Sequence, residues 1–88
     1  MKQEVEIIKY NAKKGLQLCW ENNFIIEVSV ERKEVLISAN NEGLRSLANH
    51  LLTLAQTEVP VGTHIHLDEH NSLEEGSVDL IIEKKETV

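Results

Sequence analysis

Asn41-Glu42-Gly43-Leu44-Arg45-Ser46-Leu47-Ala48-Asn49-His50-Leu51-Leu52-Thr53-Leu54-Ala55-Gln56 is the stretch on which the fold turns. Leu44, Leu47, Ala48, Leu51, Leu52, Leu54 and Ala55 recur at helical spacing, which predicts one amphipathic helix with a single apolar stripe. Asn40 or Asn41 suits the N-cap, where a side-chain oxygen takes an unpaired first-turn N–H, and Glu42 suits the positive end of the dipole. Pro60 cannot continue a helix, so the expected span is Asn41 to Gln56 or Thr57. A helix of this length is marginal alone. Its stripe is therefore expected to lie on a sheet, with Leu51 in the middle of the contact.

Upstream of the helix the periodicity changes from helical to alternating. Residues 5–10 are rich in β-formers and end in the polar turn Asn11-Ala12-Lys13-Lys14-Gly15. Residues 16–21 place Leu16, Leu18 and Trp20 on one face, and Asn22-Asn23 can adopt the positive φ of a tight turn. Residues 24–30 direct Phe24, Ile26, Val28 and Val30 inward and Glu27 and Ser29 outward. After the charged turn Glu31-Arg32-Lys33-Glu34, residues 35–39 form a fourth strand. Downstream, residues 63–68 set Ile65 and Leu67 opposite His64 and His66. Residues 78–83 set Val78, Leu80 and Ile82 opposite Asp79, Ile81 and Glu83, and residues 69–77 read as a connection.

These elements predict a single α+β domain spanning residues 1–88: a mostly antiparallel sheet of about six strands, in ββββ-α-ββ order, with one helix on one face. The other face is left to solvent or a partner. By alternation it collects Glu4, Glu6, Gln17, Cys19, Glu21, Glu27, Ser29, Ser38, His64, His66, Asp68, Asp79 and Glu83. It is polar and acidic.

Composition narrows the function. The chain has 88 residues and a formal charge of −6. That sign repels phosphate backbones, and the three aromatic residues (Tyr10, Trp20, Phe24) offer little for stacking bases, so nucleic-acid binding is not expected. An acidic surface suits a cationic protein partner, and it also simply keeps a small protein soluble. Cys19, the single cysteine, excludes an internal disulfide. The acids Glu4 and Glu6 interrupt any signal-peptide core, and no apolar run reaches membrane-spanning length. A cytoplasmic protein without membrane contact is expected.

Chemistry-bearing patterns are few. His64 and His66 are two apart on a strand, and Asp68 extends the row, so an N,N,O metal site is one reading. The other is a polar strand face whose imidazoles bond neighbouring carboxylates, and no metal or cofactor is assigned. Cys19 has no activating neighbours and reads as a small strand residue. His50 reads as a boundary residue beside the stripe, and Trp20 as packing. No phosphate loop or nucleophile elbow occurs, and a one-helix sheet offers no cleft for an acid–base pair. No catalytic residue is assigned.

The segments Ser38-Ala39-Asn40-Asn41-Glu42-Gly43-Leu44, Leu47-Ala48-Asn49-His50-Leu51, Leu54-Ala55, residues 60–68 and residues 76–82 resemble immunity protein family thirty-two of bacterial polymorphic-toxin systems. The resemblance lies mainly over residues 35–84. It implies a small non-enzymatic α+β protein that binds and neutralises a cognate toxin in the producing cell, and it implies no particular interface. Independently, the acidic face selects Glu27, His64, His66, Asp68 and Asp79 as partner-binding candidates. Two alternatives stand beside this reading: a metal-dependent enzyme or metal-binding module using His64, His66 and Asp68, and a non-catalytic adaptor that forms a homodimer through its sheet face or edge strand.

Overall fold

A computed structural model describes residues 1–87. Its elements run β1 (Ile26–Glu31), β2 (Glu34–Ala39), α1 (Asn41–Leu54), β3 (His64–Leu67) and β4 (Leu80–Glu83). The α+β class and the one helix agree with the sequence reading, but the sheet does not. In place of one sheet of about six strands, the described residues form two antiparallel pairs, β1–β2 and β3–β4.

The first pair is closed by Arg32 and Lys33, both at positive φ (51° and 67°). This left-handed pair matches the twist of the flanking strands, and it fixes a register in which Ile26 faces Ala39 and Val28 faces Ile37. The second pair sets Ile65 against Ile82 and Leu67 against Leu80. The backbone ahead of β4 joins the two pairs. Glu74 N–H donates to Ile26 O and Val78 N–H to Val28 O, both at 2.9 Å, while Val28 N–H donates to Ser77 Oγ at 3.1 Å. The free edge of β1 is thereby covered.

The core is aliphatic, as the scarcity of aromatics requires. Ile26, Val28, Leu54, Val59, Ile65, Leu67 and Leu73 are buried, with Leu16, Leu18, Phe24 and Leu47 packed around them. Val59 and Leu73 come from connections, not from periodic elements, and sequence patterning missed both. Val30, expected inward, is 56% exposed, because the tip of the first hairpin outruns the core.

Residues 5–10 and 16–21 are not strands; an isolated bridge, Asn11–Gly15, closes the turn between them. The reason is visible in their hydrogen bonds. Side chains of α1 take the backbone groups that a sheet would have used. Asn49 accepts Cys19 N–H through Oδ1 at 3.0 Å and donates through Nδ2 to Glu6 O. Ser46 Oγ accepts Glu21 N–H at 2.9 Å. Gln56, just past the helix, accepts Tyr10 N–H at 2.8 Å and donates to Ile8 O at 3.2 Å. Satisfied in this way, the N-terminal backbone lies against the helix.

This arrangement reverses the expected helix orientation. Ser46, Asn49, His50 and Thr53 are buried, whereas Leu44, Leu51 and Leu52 are 53%, 49% and 46% exposed. Leu47 and Leu54 alone of the leucine set reach the core. The cap itself is as expected: Asn40 Oδ1 accepts Gly43 N–H at 2.8 Å. Asn40 also accepts Ile25 N–H and donates to Asn23 O, so one carboxamide fixes both the helix start and the turn before β1. The helix ends at Leu54, short of Pro60, when Gln56 folds back on Thr53 O.

Candidate functional site

The alternation of β3 and β4 is as the sequence predicts. Ile65 and Leu67 are buried, and His64 and His66 are exposed. In the observed register His64 faces Glu83 and His66 faces Ile81, and Asp68 and Asp79 lie immediately beyond the two strand ends. Asp79 is exposed and Asp68 half-buried. On β1, Glu27 is exposed between the buried Ile26 and Val28. Of the five candidate residues, Glu27, His64 and His66 occupy outward strand positions, while Asp68 and Asp79 flank the strand ends. The exposed side also carries apolar residues, Leu36 and Ile81, so it is not uniformly polar.

His66 Nε2 lies 2.9 Å from Asp79 Oδ2. Asp68 Oδ1 accepts the N–H groups of His70 at 2.8 Å and Asn71 at 3.1 Å, while Asn71 returns Oδ1 to Asp68 N–H and Nδ2 to His66 O. This Asx-turn network fixes the loop after β3 and holds the Asp68 side chain beside the His66–Asp79 pair. His66, Asp68 and Asp79 each bring one donor atom within 4.8 Å of the others. The sequence reading grouped His64, His66 and Asp68; the residue completing the convergent set is Asp79, supplied across the strand pair, and His64 is outside it. An N,O,O set can meet a divalent cation, but here one Asp68 oxygen is committed to the loop and the imidazole to Asp79.

A groove of about 580 Å³ runs along β3, with Leu16, Leu18, Trp20 and Phe24 on one wall and His64 and His66 on the other. Trp20, 36% exposed, forms its aromatic corner. It packs against Phe24 at 4.6 Å and edge-on against His50 at 4.1 Å between ring centroids. The sequence reading left this groove out because it expected residues 16–21 to pair within the sheet.

His50 is fully buried, not a boundary residue. Its Nε2 lies 3.2 Å from Cys19 O; a carbonyl only accepts, so the neutral ring carries its proton on Nε2. Nδ1 has no partner. Burial pushes the His50 pKa below the ordinary imidazole value, partly opposed by the bond to Cys19 O. On the exposed surface, Arg45 donates to Glu21 at 2.7 Å. That bond lowers the Glu21 pKa and raises that of Arg45.

Among the described residues no helix is long and apolar enough to cross a membrane. A family model described as Immunity protein 32 matches residues 34–85, which run from β2 through β4. No curated protein and no solved structure matches the chain.

Proposed function

The chain belongs to the Immunity protein 32 family, and from that premise we propose that it neutralises a cognate toxin by laying the acidic outward side of its two strand pairs over a cationic toxin surface. The observation carrying this reading is the joint exposure of Glu27, His64, His66 and Asp79, with Asp68 held beside them. The chain's charge of −6 draws a basic partner into encounter. Exposed Leu36 and Ile81 give that surface apolar contacts to bury once encounter has occurred. The protein acts as a stoichiometric inhibitor in the cytoplasm of the producing cell, as part of a polymorphic-toxin system, and performs no catalysis of its own.

The test is association kinetics of wild type and Glu27→Lys/Asp79→Lys with the product of the neighbouring toxin gene, across a salt series. Wild-type association should slow as salt rises, and the double variant should associate more slowly at low salt and respond less to salt. Equal rates at low salt would remove the acidic side from the interface. Stoichiometric metal retained through purification, and lost in Asp79→Ala, would instead assign His66, Asp68 and Asp79 to a metal-binding module.

A further inference from the structure

The leucine face of α1 demands an explanation that the acidic side does not supply. We infer that it is the seam of a two-fold dimer between two copies of this chain. Leu44, Ala48, Leu51 and Ala55 follow one another at spacings of four, three and four residues, the repeat that keeps a strip of one helix facing another. Leucine and alanine alternate along it. When two such helices run antiparallel about an axis between residues 49 and 50, Leu44 lies across from Ala55 of the second copy and Leu51 across from its Ala48. Each large side chain then meets a small one, which allows close approach and interdigitation, and the same patch serves both copies, as a two-fold contact requires. Leu52, 46% exposed, falls across from the half-buried Leu47.

Two further observations favour a second copy as the occupant. Bringing two chains of charge −6 together is opposed wherever acids face acids. α1 carries one acid and one base, Glu42 and Arg45, and none of the seam positions is charged, so this is a surface on which identical chains meet without repulsion. The helix also cannot turn its leucines inward. Ser46, Asn49 and His50 on the opposite side hold Glu21, Glu6 and Cys19, and rotation would break those bonds while burying none of the polar groups elsewhere. The seam spans only about 16 Å of helix, so a monomer–dimer equilibrium is expected in place of a permanent dimer. The sequence reading placed a homodimer at the sheet; the structure points to the helix.

Sedimentation equilibrium of the full chain over a concentration series tests this. The wild-type average mass should rise towards twice that of one chain. Leu51→Glu and Ala48→Lys, each with an unchanged circular dichroism spectrum, should stay monomeric alone. An equimolar mixture of the two should dimerise, because the antiparallel register sets Glu against Lys. Leu44→Glu serves if either variant loses its helical signal, and it too should be monomeric. Glu27→Lys should dimerise like wild type. A wild type that stays monomeric to its solubility limit would overturn the inference, as would a dimer untouched by Leu51→Glu or abolished by Glu27→Lys. A mixture that stays monomeric would overturn the antiparallel seam. None of these measurements involves the toxin, so they stand or fall apart from the proposed function.

Discussion

Gln56 pairs with Tyr10 as one strand residue pairs with another: its Oε1 accepts the Tyr10 N–H at 2.8 Å while its Nε2 reaches Ile8 O at 3.2 Å. Asn49, seven residues earlier, does the same for Glu6 and Cys19. Removing such a carboxamide leaves partly buried backbone groups unpaired, at a cost of up to about 1–3 kcal/mol each. Asn49→Ala should therefore lower the urea midpoint well beyond an ordinary surface substitution. Amide exchange in residues 6–10 and 19–21 should accelerate more than in β3 and β4. Uniform acceleration across the chain would mean that the N-terminal segments are held by something else.

Gly43→Ala should destabilise the protein, although alanine is the better helix former by about 1 kcal/mol. A Cβ there would collide with the Ile25 carbonyl oxygen and come within 3.0 Å of Ile26 Cγ1 and 3.1 Å of Ala39 Cβ. The oxygen belongs to backbone that Asn40 pins from both sides, so it has no cheap way to yield. Thermal denaturation checks the sign; a raised melting temperature would show that the helix start can slide away from β1.

Leu54→Ala and Leu51→Ala should differ sharply. Leu54 is 5% exposed and belongs to the core, so its truncation should cost about 2–5 kcal/mol. Leu51 is 49% exposed, and its truncation should cost about 1 kcal/mol or less at concentrations where the chain is monomeric. Periodicity alone predicts the reverse, with Leu51 the critical position. Denaturant midpoints of the two variants decide between the orientations.

His50 gives stability a defined pH dependence. Its pKa is lower in the folded than in the unfolded protein, so the unfolded chain binds the extra proton as acid is added. The stability it supports is complete above the unfolded value of about 6.5, falls as pH drops through that value, and levels off below the folded pKa. His50→Phe keeps a ring against Trp20 but cannot titrate. It should be less stable at neutral pH, with Cys19 O left unpaired, and should lose part of the decline that sets in as pH falls through about 6.5. An identical decline in both proteins would assign it to other groups.

The second half of the fold was legible because its rules are local. Asn40 caps the helix through its own carboxamide, and Ile65 and Leu67 must point away from His64 and His66 whatever the neighbours are. The orientation of α1 was not legible in that way. Periodicity shows that a helix has two faces but not which face the rest of the chain covers, and seven apolar residues outweighed the other side. A signal was nevertheless present. Ser46, Asn49, His50, Thr53 and Gln56 fall on one face that carries no charge beyond Glu42 in the first turn, whereas a solvated face normally carries charge along its length. Uncharged side chains that both donate and accept are what an adjoining backbone needs. Asp79 was missed as the partner of His66 for a different reason, since their approach depends on strand register, which residues 69–77 conceal by their length.

The bonds that tether the first 21 residues carry a consequence for how this protein changes over time. Asn49, Ser46 and Gln56 grip peptide groups, and a peptide group is the same at every residue but proline. The tether is therefore blind to which side chains the segment bears. The exposed residues 6–9, which now carry one acid and one base, can be rewritten to either sign of charge while the mooring on α1 stays intact. That stretch lies ahead of residues 34–85, where the family match falls. A lineage pressed to follow an altering adversary would thus hold a region it could edit without refolding, provided that the helix keeps its carboxamides.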